Sequence, residues 1–381
     1  MRVLLLHTEY KQQGGEDIVF IQERELLKNN GFIVDTILFN NKRYTFIKFF
    51  LLLFNPFSFF KVLRKIKQFK PDVIHVHNWY FGASPSIFIA AHFKKIRVVH
   101  TIHNFRILCP SAVIFYKNKL YFDSVKKYFP LRSVLFRVYK NSFFITGWVL
   151  LCTRFHYFLN TWNNIDKIIC LTGSAKMLLC ESYLKIPDEK IMVKPHFIPT
   201  FSESTSLKRK DHFLYVGRLS EEKGIDLLLR AFENSNHKLK IIGKGPMKDL
   251  VEKFALNNSN IDFLNFKNSA EIRKEMLDCS AVIFPSICYE QFGLVIVEAF
   301  ATATAVISCD IGSPKELVKN GYNGFKFTTG NQKELVKKIE LWQSSSENFK
   351  SMISKNALDT YLNNYQSRRS LTMLEYLYRS E

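Results

Sequence analysis

The sequence predicts an α/β protein with two doubly wound parallel sheets in tandem. Three observations carry that expectation. Short apolar runs alternate with longer amphipathic segments in both halves, the βαβ pattern of a parallel sheet. A polar, aperiodic stretch at 199–211 separates the two series. The chain has 381 residues, 47% of them apolar, which is more than one core usually organises and enough for two.

The first series opens at residues 3–6, Val-Leu-Leu-Leu, an apolar run too short before His7 and Glu9 for a secretion signal and suited to a first strand. A helix is expected near 16–29, then strands at 32–38, 73–76, 97–102, 167–171 and 191–193. Beyond the linker, strands at 212–216, 238–242, 261–264, 281–285 and 305–308 alternate with helices at 224–234, 247–255, 270–277 and 294–303. The expected domains are 1–198 and 199–361, with a final helix at 362–381 packing back on the first. In such sheets ligands bind beyond the carboxyl ends of the strands, so the informative loops are those that follow strands.

Charge is unevenly placed. The net charge is +20, with 29 Lys/Arg against 12 Asp/Glu in residues 1–200 and 25 against 22 in 201–381. Within 36–165 the 20 basic residues face only Asp72 and Asp123, which points to an anionic partner for the first half alone. Residues 44–70 set Phe59, Val62, Ile66 and Phe69 at helical spacing with Lys61, Arg64, Lys65 and Lys67 around them. No run reaches the roughly 18 uncharged apolar residues of a spanning helix. The stripe alone reads as core packing. The surplus of cations adds an expectation that this half docks on an anionic membrane surface. Seven cysteines without a C-x-x-C pair read as reduced thiols of a cytosolic protein.

Several loops carry chemistry. After the strand at 212–216, Gly217-Arg218-Leu-Ser-Glu-Glu-Lys223-Gly224 offers a planar guanidinium and an ammonium, an anion cradle if the two converge and otherwise a solvated turn. Gly243-Lys-Gly-Pro is a tight turn suited to close approach of a ring or ribose, and by itself only a turn. Gly293 precedes a helix whose first amides, at Leu294 and Val295, suit an anion such as a diphosphate. Glu290 lies in the loop before it, and Glu298 sits one turn inside; it is either an exposed helical glutamate, which its flanks Val297, Ala299 and Phe300 disfavour, or a carboxylate that accepts vicinal hydroxyls.

In the first half Gly14-Gly15 opens the first helix without the G-x-G-x-x-G of a dinucleotide fold; the paired glycines either bring backbone amides near a phosphate or merely form the turn. His75, His77, His100 and His103 end two strands. His75 and His100 read as strand-end packing, and His103, beyond the last apolar residue of its strand, is the candidate for a polar or proton-handling role. No H-E-x-x-H or Cys/His set supports a metal, and no Asp-x-Asp occurs to anchor one through a diphosphate.

Taken together, Gly217-Arg218-Leu-x-x-Glu-Lys223-Gly, Gly243-x-Gly-Pro, Tyr289-Glu290-x-Phe292-Gly293-Leu294-x-x-x-Glu298-Ala, and Thr-x-His103-Asn-Phe-Arg-Ile-Leu-Cys-Pro resemble the retaining glycosyltransferases of family 4, in a branch common in bacterial surface-polysaccharide synthesis. The resemblance covers nearly the whole chain. It implies a GT-B fold, two Rossmann-like domains facing across a cleft. It further implies Glu298 on the ribose of a nucleotide-sugar, Arg218 and Lys223 on its diphosphate, Glu290 on the donor sugar, and the amides after Phe292 on sugar and phosphate. Gly15 and His103 would come from the other domain, Gly243 and Lys267 would serve the nucleotide, and catalysis would fall to His103, Glu290, Arg218 and Lys223.

The donor expected is a UDP-sugar first and a GDP-sugar second. The acceptor expected is a saccharide, lipid-diphosphate-linked, at the inner face of the plasma membrane, with no metal, no other cofactor and no nucleic acid. A sugar-nucleotide epimerase or phosphorylase of the same architecture is the alternative, and a non-catalytic membrane binder the third. Two positions depart from the family pattern: His196 in Val193-Lys-Pro-His196, where Pro-Asn-Gly is common, and Asn265 before Phe266, where glycine is usual.

Overall fold

The structure is a computed structural model that describes residues 1–10, 14–41, 46–200, 209–233 and 235–380. Residues 201–208, most of the expected linker, lie outside these. Two compact units divide the chain: one holds 1–114, 121–196 and the segment from 368 onward, the other 115–120 and 197–367.

The first unit contains β1 (Arg2–Glu9), β2 (Ile33–Asn40), β3 (Val73–Val76) and β4 (Arg97–Thr101). A hairpin of β5 (Phe115–Tyr116) and β6 (Lys119–Leu120), which clusters with the second unit, interrupts the series before β7 (Lys167–Cys170) and β8 (Ile191–Val193). The sheet order is β2-β1-β3-β4-β7-β8, parallel throughout. The second unit has β9 (Phe213–Val216), β10 (Leu239–Ile242), β11 (Ile261–Phe263), β12 (Ala281–Phe284), β13 (Val306–Cys309) and β14 (Gly324–Phe327), ordered β11-β10-β9-β12-β13-β14 and also parallel. Central strands such as Val3–Leu6 and Val282–Ile283 are fully buried, because helices cover both faces, and so they read as continuous apolar runs rather than alternations.

In both sheets the strand order reverses once, between β1 and β3 and between β9 and β12. The crevice beyond the carboxyl ends at such a switch is where open α/β sheets bind ligands. The loops after β1 and β3, and those after β9 and β12, therefore line the two candidate crevices.

Two segments bear on the sequence expectations. The helix Ser367–Arg379 lies on the first unit, with Tyr378 Oη 2.7 Å from His75 Nδ1 and Arg97 donating to the Leu377 carbonyl at 3.1 Å. The helix Pro56–Phe69 is capped by Asn55, whose side chain accepts from the Ser58 amide. Val62, Ile66 and Phe69 are buried, so its stripe is core packing. Lys65 pairs with Asp35 of β2, and Lys61 donates to the Leu38 carbonyl and lies over Phe39, while Arg64 and Lys67 remain exposed.

Candidate functional site

In the second unit the loops after β9 and β12 are joined at several points. A Cβ on Gly224, at φ +71°, would come within 2.0 Å of the Pro285 carbonyl, so only glycine allows that approach. The Ile287 amide donates to the Glu222 carbonyl at 3.0 Å. The turn Glu221–Lys223 brings the Lys223 ammonium to 2.5 Å from Glu290 Oε1, which also accepts from Ser286 Oγ. Burial works against the ammonium, but Glu290 outweighs it and holds Lys223 above its usual range, so it stays charged. Arg218 is exposed and has no ion pair among the described residues. Instead of two free cations, the loop presents one lysine held on a carboxylate and one exposed guanidinium.

Gly293 adopts φ +80° and caps the helix Leu294–Ala301. The first helical bond runs from Ile296 N to the Gly293 carbonyl, leaving the Leu294 and Val295 amides without an acceptor among the described residues. One turn on, the Glu298 carbonyl accepts from Thr302, but its carboxylate has no hydrogen-bond or ion-pair partner among the described residues. Burial pushes its carboxyl up to about 7, with Arg273 pulling the other way. Phe292 is buried against Tyr365, their centroids 6.1 Å apart.

The glycines after β10 serve the protein's own backbone. A Cβ on Gly243 would fall 1.9 Å from the Gly217 carbonyl oxygen, and one on Gly245 2.2 Å from that of Leu219. The tight-turn reading accounts for them without a ligand. Asn265 takes φ +58°, a left-handed conformation asparagine enters more readily than most residues, and its carbonyl accepts the Gly243 amide at 2.9 Å. The departure from glycine is thus accommodated. Lys267 reaches Glu271 at 3.4 Å, and Phe266 is exposed beside Lys244.

In the first unit Gly14 donates its amide to Asp17 Oδ2 at 2.8 Å, and the helix Gly15–Asn29 begins at Gly15. Residues 11–13 of that loop lie outside the described residues. His103 ends up in a buried cluster. Its Nε2 lies 3.0 Å from His77 Nδ1, and its ring stacks on His77 and on His196, with centroids 5.2 and 5.0 Å away. His77 Nε2 and His75 Nδ1 each stand 3.2 Å from Glu23 Oε1, and Lys194 Nζ lies 2.8 Å from Glu23 Oε2. Burial would push the Glu23 carboxyl up, yet Lys194, His77 and His75 hold it well below the carboxylate range. Burial, with neighbouring imidazoles, holds His103 well below its usual value, and burial also lowers His77 against the pull of Glu23. His103 borders a small pocket with Asn78, Tyr80, Asn104 and Arg106.

Glu23, His75 and His77 also form the group, among the described residues, whose donor atoms lie close enough to hold a metal ion, within 4.8 Å of one another. The Lys194 ammonium already supplies a positive charge at that carboxylate. Sequence reasoning passed over Glu23 and Lys194. The available signal was Glu23 itself, in phase with buried Val19, Phe20 and Leu27 on an otherwise apolar helix face.

Against known proteins, residues 2–200 match Glycosyltransferase Family 4 and residues 198–359 match Glycosyl transferases group 1. The chain belongs to Glycosyltransferase Family 4. It is 30% identical over 251 residues to an uncharacterised glycosyltransferase of Methanocaldococcus jannaschii, covering 65% of each chain. It is 26% identical over 202 residues to the GalNAc-alpha-(1->4)-GalNAc-alpha-(1->3)-diNAcBac-PP-undecaprenol alpha-1,4-N-acetyl-D-galactosaminyltransferase of Campylobacter jejuni, covering 50% of this chain and 54% of that one. The chain thus spans less than two thirds of the length of these relatives. Anabaena Alr3699/HepE, solved in complex with UDP, superposes over all of both chains with a TM-score of 0.72 at 18% identity. The fold is GT-B, with two Rossmann-like α/β units.

Proposed function

We propose that the chain is a retaining, metal-independent glycosyltransferase. It moves a sugar from a nucleoside-diphosphate sugar, UDP ahead of GDP, to a saccharide carried on a lipid diphosphate at an anionic membrane face. The observation that carries the reading is the second unit's switch point, where the free Leu294 and Val295 amides, the charged Lys223 and the unpartnered Glu298 occur together. Breaking an anomeric C–O bond leaves negative charge on the departing diphosphate. Helix amides, Lys223 and Arg218 stabilise that charge without a cation. Glu298 accepts the ribose hydroxyls. Glu290, freed as Lys223 turns to phosphate, accepts those of the sugar, so attack comes from the leaving-group face with the phosphate taking the proton. The UDP complex of the Anabaena protein and the undecaprenyl substrate named for the Campylobacter relative support donor and acceptor.

The surface of the first unit supports the membrane part. On the helices Phe46–Phe50, Pro56–Phe69 and Phe143–Phe158, the side chains of Ile47, Phe57, Phe60, Phe144 and Phe158 are exposed, two of them by more than 75%. Trp148 donates to the Phe49 carbonyl at 2.7 Å and ties the first of these helices to the last. Exposed Arg64, Lys67 and Lys140 add cations worth about 1 kcal/mol each near anionic lipid.

The test is thermal unfolding with UDP, GDP and ADP, followed by nucleoside-diphosphate release from sugar donors in EDTA. A nucleotide at a hundredfold its dissociation constant should add about 2.7 kcal/mol. No shift with any nucleotide rejects the donor site, and loss of turnover in EDTA with rescue by manganese rejects the metal-free route.

A further inference from the structure

Beneath His103 lies a charge-terminated chain that the chemistry above leaves unused. Lys194 is 2.8 Å from Glu23, Glu23 is 3.2 Å from His77, and His77 is 3.0 Å from His103, with Lys194, Glu23 and His77 at most 2% exposed. We propose that Glu23 is a positioning residue: through His77 it fixes His103 with its proton on Nε2, so that Nδ1 faces the substrate as a hydrogen-bond acceptor for a hydroxyl group.

The assignment follows from donors and acceptors. An ionised carboxylate only accepts, so a nitrogen facing it must bring the proton. A bare His77 Nε2 at 3.2 Å from Glu23 Oε1 would set lone pair against lone pair. The contact is poorly aligned for a hydrogen bond, yet the proton on Nε2 is still the arrangement without that repulsion. Burial disfavours a second proton on His77, against the pull of Glu23, so with its proton on Nε2 its Nδ1 is bare and accepts from His103 Nε2. Burial and the neighbouring imidazoles disfavour a second proton on His103 as well, and with its one proton on Nε2 toward His77 its Nδ1 is bare. Among the described residues that nitrogen has no hydrogen-bond partner, and the ring borders the pocket of Asn78, Tyr80, Asn104 and Arg106. His75 does not transmit the preference. Its Nδ1 faces the same Glu23 oxygen at 3.2 Å and the Tyr378 hydroxyl at 2.7 Å, and its Nε2 ends on the Thr101 hydroxyl at 2.7 Å, so neither nitrogen bonds to His77 or His103.

A bare Nδ1 takes a hydroxyl and gives nothing to a phosphate oxygen, so the group at His103 is a neutral sugar hydroxyl rather than an anion. The identity of that hydroxyl rests on the sugar-transfer reading; the tautomer does not. In the full chain labelled with 15N-histidine, long-range 1H–15N correlation reports which ring nitrogen carries the proton, and His103→Asn identifies the His103 signals by their loss. The expected spectrum has a protonated Nε2 and a bare Nδ1, and the reverse or an averaged pattern overturns the proposal.

Glu23→Gln combined with Lys194→Met then removes both charges together. The new amide can donate to His77 Nε2, so the His103 proton should move wholly or partly to Nδ1, and an unchanged tautomer removes Glu23 from the role. If the double variant does not fold, the wild-type spectrum alone decides. Failure of nucleotide binding would reject sugar transfer and leave the tautomer standing.

Discussion

Lys194→Met deletes the ammonium from a pair in which both side chains are 1% exposed and 2.8 Å apart. The remaining Glu23 carboxylate cannot be rehydrated, and breaking such a buried pair costs about 3–5 kcal/mol. Two imidazoles at 3.2 Å offer partial relief. In the wild type, burial first, and then the neighbouring His77 and Lys194, hold His75 well below its usual value. With Lys194 gone, His75 or His77 can take a proton and pair with Glu23. Their folded pKa then rises above the unfolded value, so the relief is present at low pH and lost as pH rises through it. The loss should therefore be near its full size at pH 8.5 and smaller at pH 6. Urea unfolding in a Trp342→Phe background measures it, because the remaining tryptophans, Trp79, Trp148 and Trp162, all lie in the first unit. At roughly 2–4 °C per kcal/mol for a unit of this size, the thermal midpoint should fall by about 6–20 °C. A loss under about 1 kcal/mol at pH 8.5, or one that grows toward pH 6, refutes the reasoning.

Glu298→Gln should weaken UDP binding by about 1.5–3 kcal/mol in titration calorimetry. With its carboxyl at about 7, wild-type affinity should rise with pH between 6 and 8, and the variant should lose that rise. Lys223→Ala should lower kcat more than donor affinity, since the leaving group carries most charge in the transition state; equal losses would make it a binding residue only. Gly243→Ala places a methyl against the Gly217 carbonyl, and a destabilisation of the second unit above about 1 kcal/mol is expected from Trp342 fluorescence. Phe144→Ser with Phe158→Ser should reduce sedimentation with anionic liposomes without altering UDP binding; unchanged sedimentation would move the docking face elsewhere.

How far the sequence could be read depended on how far apart the partners lie along the chain. Central strands announced themselves because both faces are covered, as in Leu4-Leu5-Leu6, whereas the edge strand β14, with partly exposed Lys326, gave too short a run to notice. Gly293, Glu298 and their helix form one contiguous stretch, so motif reading reached them. The pairing of Lys223 with Glu290 spans 67 positions and appears only when β9 and β12 become neighbours. The cluster under His103 is scattered further, since Glu23 and Lys194 are 171 positions apart. The apolar stripe of the helix Pro56–Phe69 was legible as core packing from its spacing alone. Its phase turns Val62, Ile66 and Phe69 inward, and the stripe gave no sign that Phe57 and Phe60 on the same helix stand exposed.

The helix Ser367–Arg379 gives the order of synthesis a consequence. Its Tyr378 and Leu377 contact His75 and Arg97, yet a ribosome makes them 303 and 280 positions later. The first unit is translated first and finished last. Until those residues emerge, His75 lacks its Tyr378 partner, so the contacts of the first unit are completed only after residues 197–367 of the second have been made.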